Sequence, residues 1–465
     1  MLTRFKRFTL ETYIVAMVAI TIDAIILAPA LPFVMSEYHV PIHWGVWTIS
    51  LHLAVFSMAL PVMENAAMSI GRMKILHVAL GLLFVGTWMV FTVKSWMCLM
   101  CGRIIQAVGI GGAIPYISAQ VRRIMAQQNR QWQWMAMLVL GSAVAATPWL
   151  VSGLIELLGW RFAFLFHGLG GVALFAVSRR WVCSDRPQRM RATGGASIFF
   201  FGLILFFVMA GLTKTDLLGG WRAIAQPDVL PLWIMGVGMI VPLLMVERQK
   251  NQPFFEPHLF ANWRFWLLYG QAGLSGFIWT GFVLVPFWAA YSYGFDHITA
   301  GALFSYLLLC SLFALSLVQS VARAWGFRWT AVFGYGLSAL SFLALALNPP
   351  FVWSFTAFGL LSFGLSFVLA APVHQPLFAW MPNRRMRSGM MALGMFRVAG
   401  GAIGLLTVSR IFTAADARLL FWTADVALPP QVVAAGVSSV YWFSAFASLA
   451  GVFLSMLVRF QRPVL

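Results

Sequence analysis

The chain has 465 residues, of which 61% are apolar and only 9% charged, and its formal net charge is +18. A soluble fold could not hide that much apolar side chain, and runs of about 20 apolar residues recur at the length that crosses a hydrocarbon core of ~30 Å. The positive excess suggests either a nucleic-acid binder or a topology signal, and the placement of Lys and Arg decides between them.

Hydropathy places spans near 10–34, 44–63, 75–94, 97–119, 134–156, 160–179, 196–213, 229–247, 265–292, 298–320, 328–347, 352–379, 389–409 and 434–458. These runs are long and continuous, unlike the alternating segments of a membrane barrel, so about fourteen transmembrane helices are expected in an all-α polytopic membrane protein. The opening MLTRFKRF and the apolar run after it resemble a secretory signal. The run is too long, contains Asp23 and lacks a small-residue cleavage site, so it reads as a retained signal-anchor span.

With the amino terminus inside, most of the 31 basic residues fall on the cytoplasmic face, in clusters such as Arg4-Lys6-Arg7, Arg122-Arg123-Arg130, Arg384-Arg385-Arg387 and Arg459-Arg462. Outer loops hold acids instead, among them Glu37, Asp216, Asp228, Asp296, Asp416 and Asp425. This is a positive-inside pattern and not a nucleic-acid footprint, and it predicts an inner-membrane protein with both termini cytoplasmic. The most polar internal segment, RRWVCSDRPQRMRATGG, marks a cytoplasmic linker. The expected organisation is a six-helix bundle over 1–179, a basic linker over 180–195, two additional helices with their loops over 196–263, and a second six-helix bundle over 264–465. IGRMK at 70–74 and WGFRW at 325–329 put Gly and Arg at corresponding cytoplasmic joints, as a repeat of two bundles would.

Carboxylates are nearly absent from the spans, which singles out Asp23. It lies roughly 13 residues into the first span, about 20 Å along a helix and near the bilayer midplane. A charge there costs at least about 2.5–3.5 kcal/mol, so the group is expected to be protonated, paired or beside water. Desolvation favours the neutral form of a carboxyl, which suits loading and release of a proton. Asp23 is therefore the candidate proton-coupling residue, against the plainer alternative of an Asp that only bonds a neighbouring helix.

Arg103 and Arg397 also sit inside spans, and each needs a partner or water. Arg103 pairs with Asp23 if spans one and four adjoin, which would favour the ionised carboxylate. Arg397 either faces a cavity, where it would attract an anionic substrate group, or bonds helix carbonyls. The glycines beside them, Gly109, Gly111 and Gly112 and then Gly400, Gly401 and Gly404, allow helices to approach closely, for packing alone or for bundles that rock. Pro29, Pro32 and Pro148 can bend their helices. His52, His167 and His374 are scattered and read as packing residues, and Cys98-x-x-Cys101 as two small packing residues, so neither metal nor cofactor is expected. Trp266, Trp279 and Trp288 could line an aromatic cavity or face lipid. The chain has no GxxxxGK[ST], GxSxG or HExxH, so no enzyme is expected.

Several of these segments resemble the major facilitator superfamily, and within it the fourteen-span drug:proton antiporter branch. IDAIILAPALP at 22–32 is similar to that branch's first-span motif, with Asp23, Ala30, Leu31 and Pro32 in register. CGRIIQAVGIGG is similar to the fourth-span motif through Arg103, Gln106 and Gly109, GWRFAFLF to the opening of span six, and FRVAGGAIG to span thirteen. Two segments depart. The loop signature G-x-L-A-D-R-x-G-R-K appears as ENAAMSIGRM, where Gly71 and Arg72 match but Met68 holds the acid position and Glu64 that of the first Gly. The antiporter signature of span five is reduced to Pro148 and small neighbours. The resemblance implies two bundles plus two extra helices and proton-coupled efflux of hydrophobic or amphipathic small molecules by alternating access. It gives Asp23 and Arg103 the coupling role, Arg397, Gln106 and Trp279 the cavity, and Gly71, Arg72, Pro148, Gly109, Gly400 and Gly401 the gate. The implied partners are the small-molecule substrate, protons, the lipid bilayer and, as in some relatives of this branch, a periplasmic adaptor protein. Uptake by symport, or a non-transporting sensor or assembly subunit with altered gating motifs, are the alternatives.

Overall fold

The computed structural model describes residues 27–126, 129–178, 194–216, 219–250, 254–255, 262–371, 374–381, 386–423 and 428–458. Among them every regular element is helical. Residues 27–38 form α1. It is followed by α2 (Trp47–Ile70), α3 (Arg72–Thr92), α4 (Trp96–Ala126), α5 (Arg130–Leu158) and α6 (Trp160–Ser178). Then come α7 (Gly195–Lys214), α8 (Leu230–Gly238) and α9 (Ile240–Arg248). The remaining long helices are α10 (Trp263–Val283), α11 (Val285–Tyr293), α12 (His297–Ala346), α13 (Phe351–Ala370), α14 (Met386–Ala414) and α15 (Pro430–Leu457).

Ten helical stretches among the described residues are long and apolar enough to cross a membrane, fewer than the sequence suggests. Part of the difference is physical. The fifty-residue α12 is two helices joined through Gly326, whose φ of 77° no ordinary helical residue adopts. The expected ninth span is broken at Leu284 into α10 and α11, just ahead of Pro286, which removes an amide donor and crowds the preceding turn. The eighth, which still counts among the ten as Leu230–Arg248, is kinked at Met239, ahead of Pro242, into α8 and α9. Residues 1–26, which hold most of the first expected span, and the basic linker at 179–193 lie outside the described residues.

Capping explains where several helices begin. Asn129 Oδ1 accepts from Trp132 N at 2.8 Å at the start of α5, and Asn262 Oδ1 from Arg264 N at 3.1 Å at the start of α10. After α14, Asp416 caps a short turn by accepting from Arg418 N at 2.9 Å and also holds its guanidinium at 2.7 Å. That hydrogen-bonded guanidinium pushes the Asp416 carboxyl down to about 2.

A repeat is visible at the two basic joints. Gly71, with φ 111°, links α2 to α3, and Gly326 links the two halves of α12. In each half the next two helices cross on glycine. A Cβ on Gly109 of α4 would meet the Ala79 carbonyl oxygen of α3 at 2.7 Å. A Cβ on Gly334 of α12 would meet the Val368 nitrogen of α13 at 2.8 Å. Helices α1 to α6 form one half and α10 to α15 the other, meeting along two seams, α2 against α14 and α5 against α12. Helix α7 lies against both α2 and α14, with α8 and α9 behind it. The outer side chains of α8 and α9, such as Ile234, Val237, Val241 and Met245, are exposed, as lipid-facing helices require.

Candidate functional site

Asp23 lies outside the described residues, so its pairing with Arg103 is untouched by the geometry. Arg103 itself is 1% exposed, and Gln106 one turn later is fully buried. A small residue on α3 brings it this close to α4: a Cβ on Gly86 would meet the Gln106 nitrogen at 2.7 Å. Arg103 Nε donates to the Thr48 carbonyl of α2 at 3.1 Å and Nη1 to Gln106 Oε1 at 2.7 Å. Gln106 Nε2 in turn donates to Thr87 Oγ1 of α3 at 3.0 Å, and the guanidinium sits 5.5 Å from the Phe164 ring centre of α6. His52 Nδ1 is 3.2 Å from the Arg103 carbonyl, which can only accept, so that nitrogen carries the proton. This network ties α2, α3, α4 and α6 together around a buried guanidinium inside the first half.

Arg397 Nη1 donates to the Leu369 carbonyl at the end of α13, at 3.0 Å. The backbone beside it matters more. A Cβ on Gly400 would fall into the Gly273 carbonyl of α10, and one on Gly276 into the Arg397 carbonyl, so α10 and α14 touch main chain to main chain. Gly401 differs, because its nearest neighbours, Leu53 Cδ1 and the Gly276 carbonyl oxygen, leave 3.5 and 3.6 Å. A cavity of about 540 Å³ opens between α7, α10, α14 and α15, walled by Phe201, Trp266, Tyr269, Phe277, Phe396 and Leu454. Trp279 does not line it; its ring stacks on Phe282 at 6.3 Å. Of the three tryptophans, Trp266 is on the cavity and exposed, while Trp288 is fully buried elsewhere.

The gate residues bring the halves together. On the basic face, Arg387 Nη2 at the start of α14 meets Glu64 Oε1 of α2 at 2.6 Å, and Nη1 contacts the Met68 sulfur. Glu64 and Met68 are one turn apart on one helix face, so a carboxylate stands one turn from the motif position that Met68 holds. Sequence reasoning had placed Glu64 only as a mismatched glycine and Arg387 only in a basic cluster; the four-residue spacing was the signal. Gly71 and Arg72 form the adjacent joint. On the opposite face, the Phe33 and His297 rings approach to 4.4 Å, Trp149 N donates to Ser305 Oγ at 3.1 Å, and a Cβ on Gly301 would meet the Pro148 carbonyl oxygen at 2.9 Å. Pro148 therefore lies on the α5–α12 seam.

Two further arginines, one at the opening of the sixth expected span and one just past the end of the thirteenth, are structural clamps. Arg161 opens α6, pairs with Glu37 at 2.6 Å, and donates to the Val90 and Val93 carbonyls at 2.9 and 3.0 Å, tying α1, α3 and α6. Arg410, expected outside the span, is 6% exposed within α14 and donates twice to the Thr215 carbonyl that ends α7, at 3.1 and 2.9 Å. Trp47 Nε1 of α2 reaches Thr213 Oγ1 in the last turn of α7 at 2.9 Å.

Solved structures share this arrangement at low sequence identity. A variant of the nucleoside transporter NupG superposes with a TM-score of 0.66 at 11% identity, covering 97% of this chain and 99% of that one. The human organic anion transporter MFSD10 gives 0.61 at 13% identity, covering 97% and 99%. Among sequence relatives, the MFS-type transporter YfiU of Bacillus subtilis is 23% identical over 79% of this chain and 73% of its own length. YcnB of the same organism is 23% identical over 96% and 94%. The quinolone resistance protein NorB of Staphylococcus aureus is 21% identical over 74% of each. The family model described as Major Facilitator Superfamily matches residues 13–405, and the chain is a membrane transporter belonging to that superfamily.

Proposed function

We propose that this carrier exports hydrophobic or amphipathic small molecules across the inner membrane in exchange for protons, by alternating access, with its basic face cytoplasmic. In this reading two six-helix bundles and an inserted helix pair make up about fourteen spans. The observation that carries the substrate class is the cavity of about 540 Å³, whose walls are apolar and aromatic and present no charge. Coupling rests on the buried Arg103 charge and on Asp23 in the first-span motif. A relative named for quinolone resistance points the same way.

Everted membrane vesicles loaded with a lipophilic cationic dye test it. Imposing a gradient that is acidic inside the vesicle drives dye accumulation by wild type, and Asp23→Asn abolishes that accumulation while the protein is still inserted. Accumulation that ignores the gradient, or that Asp23→Asn leaves intact, refutes proton-coupled export. Uptake by symport would show instead as dye or metabolite movement in the direction of the proton flow.

A further inference from the structure

Two residues at one end of α7, Thr213 and Thr215, accept hydrogen bonds from three different parts of the molecule. This end lies opposite to the Glu64–Arg387 pair, since Trp47 opens α2 and Arg410 stands in the last turns of α14. Thr213 Oγ1 donates to the Met209 carbonyl of its own helix at 2.8 Å and accepts from Trp47 Nε1 of the first half at 2.9 Å. Thr215 Oγ1 does the same, donating to the Gly211 carbonyl at 2.7 Å and accepting from Trp233 Nε1 of α8 at 3.1 Å. The Thr215 carbonyl accepts from Arg410 Nε and Nη2 of the second half, at 3.1 and 2.9 Å. The end of α7 therefore ties the inserted helices to both halves across the α2–α14 seam.

The ties are unequal. Bonds from charged donors are stronger than neutral ones, and Arg410 directs two of them at one carbonyl. Arg410 is also buried, and a buried guanidinium drawn away from its acceptor is left with an uncompensated charge. Trp47 gives the first half a single neutral bond. When that bond breaks, Thr213 still donates to Met209, and one indole N–H is all that needs water. The neighbouring contacts between α2 and α7 are apolar: Trp47 lies edge-on to Phe206 with ring centres 6.2 Å apart, and Gly202 makes room for the Met58 side chain. Such contacts part without stranding a polar group. The bond from Trp233 stays inside the inserted helices and holds α8 to α7.

We infer that the inserted helices travel with the second half, and that the Trp47–Thr213 bond is the latch that releases when the seam opens at this end. The inference rests on the alternating access proposed above. Double electron–electron resonance between spin labels tests it, on the full chain in detergent at acidic and at neutral pH, with the four native cysteines replaced by serine. Labels at Lys94→Cys and Lys214→Cys span the first half and α7, and labels at Lys214→Cys and Ala417→Cys span α7 and the second half; all three positions are exposed. The first distance is expected to take a second, longer value, while the second distance keeps a single one. Thr213→Val and Trp47→Phe each raise the population of the longer value by about two- to tenfold, and the double variant raises it no further, because both remove the same bond. A second distance that lengthens, or a population that Thr213→Val leaves unchanged, overturns the inference and leaves alternating access standing. If neither distance takes a second value in any form of the chain, alternating access at this end falls and the inference with it. The two distances measured without further substitution decide which part moves even if Trp47→Phe fails to fold.

Discussion

A guanidinium that is 1% exposed inside a membrane domain carries several kcal/mol of desolvation cost unless its N–H groups are matched. Gln106 accepts from it and passes the bond on to Thr87, so the amide is the joint of the network. Gln106→Leu, close in volume, removes the amide oxygen that accepts from Arg103 Nη1 and the amide donor to Thr87 Oγ1. It is expected to destabilise the folded carrier by about 1–3 kcal/mol, and Thr87→Val by about 1 kcal/mol or less, read by thermal unfolding in detergent. An unchanged midpoint for Gln106→Leu would show that the amide has no such role. The contact between Arg103 and Gln106 was legible in the sequence, because residues three apart share a helix face. The contributions of Thr48, Thr87 and Phe164 were not, since three other helices supply them and the rotation of each helix is set by packing.

At the scale of the helix, the Gly400-Gly401 pair shows what hydropathy conceals. Both glycines were read as allowing close approach, and the structure gives that role to Gly400, which sits on the Gly273 carbonyl, while Gly401 keeps ordinary contacts. Gly400→Ala must push α10 and α14 apart and is expected to cost about 1–3 kcal/mol. Gly401→Ala is expected to be neutral or mildly stabilising through helix propensity, by up to about 1 kcal/mol. Thermal unfolding of the two variants side by side checks this, and equal effects would mean that the two helices do not cross as described. The break at Leu284 and the kink at Met239 were present in the sequence as Pro286 and Pro242. Membrane helices tolerate proline, so neither residue by itself marks a break. Arg410 was set outside its span because a charge ended the hydropathy window, yet the Thr215 carbonyl satisfies it and the helix runs on to Ala414.

For the whole molecule, the joints at Gly71 and Gly326 were readable as Gly and Arg between apolar runs, and both glycines adopt positive φ. The seams were not readable. Phe33 with His297, Trp149 with Ser305 and Glu64 with Arg387 join residues far apart in the chain, and only the packing of two twisted bundles selects them. Glu64 illustrates this: position alone marked the loop motif as defective, whereas the opposing Arg387 finds a carboxylate one turn away.

That ion pair is expected to make the carrier respond to salt on one side only. Arg387 is 42% exposed in the pair, so mobile ions reach it, and the screening length falls from ~8 Å at physiological ionic strength to ~3 Å at 1 M. An exposed pair is worth about 0.2–1 kcal/mol, which sets the shift in opening at up to about fivefold. In proteoliposomes with salt imposed on a single face, amide exchange around Glu64 and Arg387 is expected to quicken when the basic face is salted. It should not change when the opposite face is, and Glu64→Gln should erase the difference. Exchange that ignores the side of salt addition would mean that the pair carries no share of the latch. If it does carry one, the ionic strength on that face acts as a regulator of how often this end of the transporter opens.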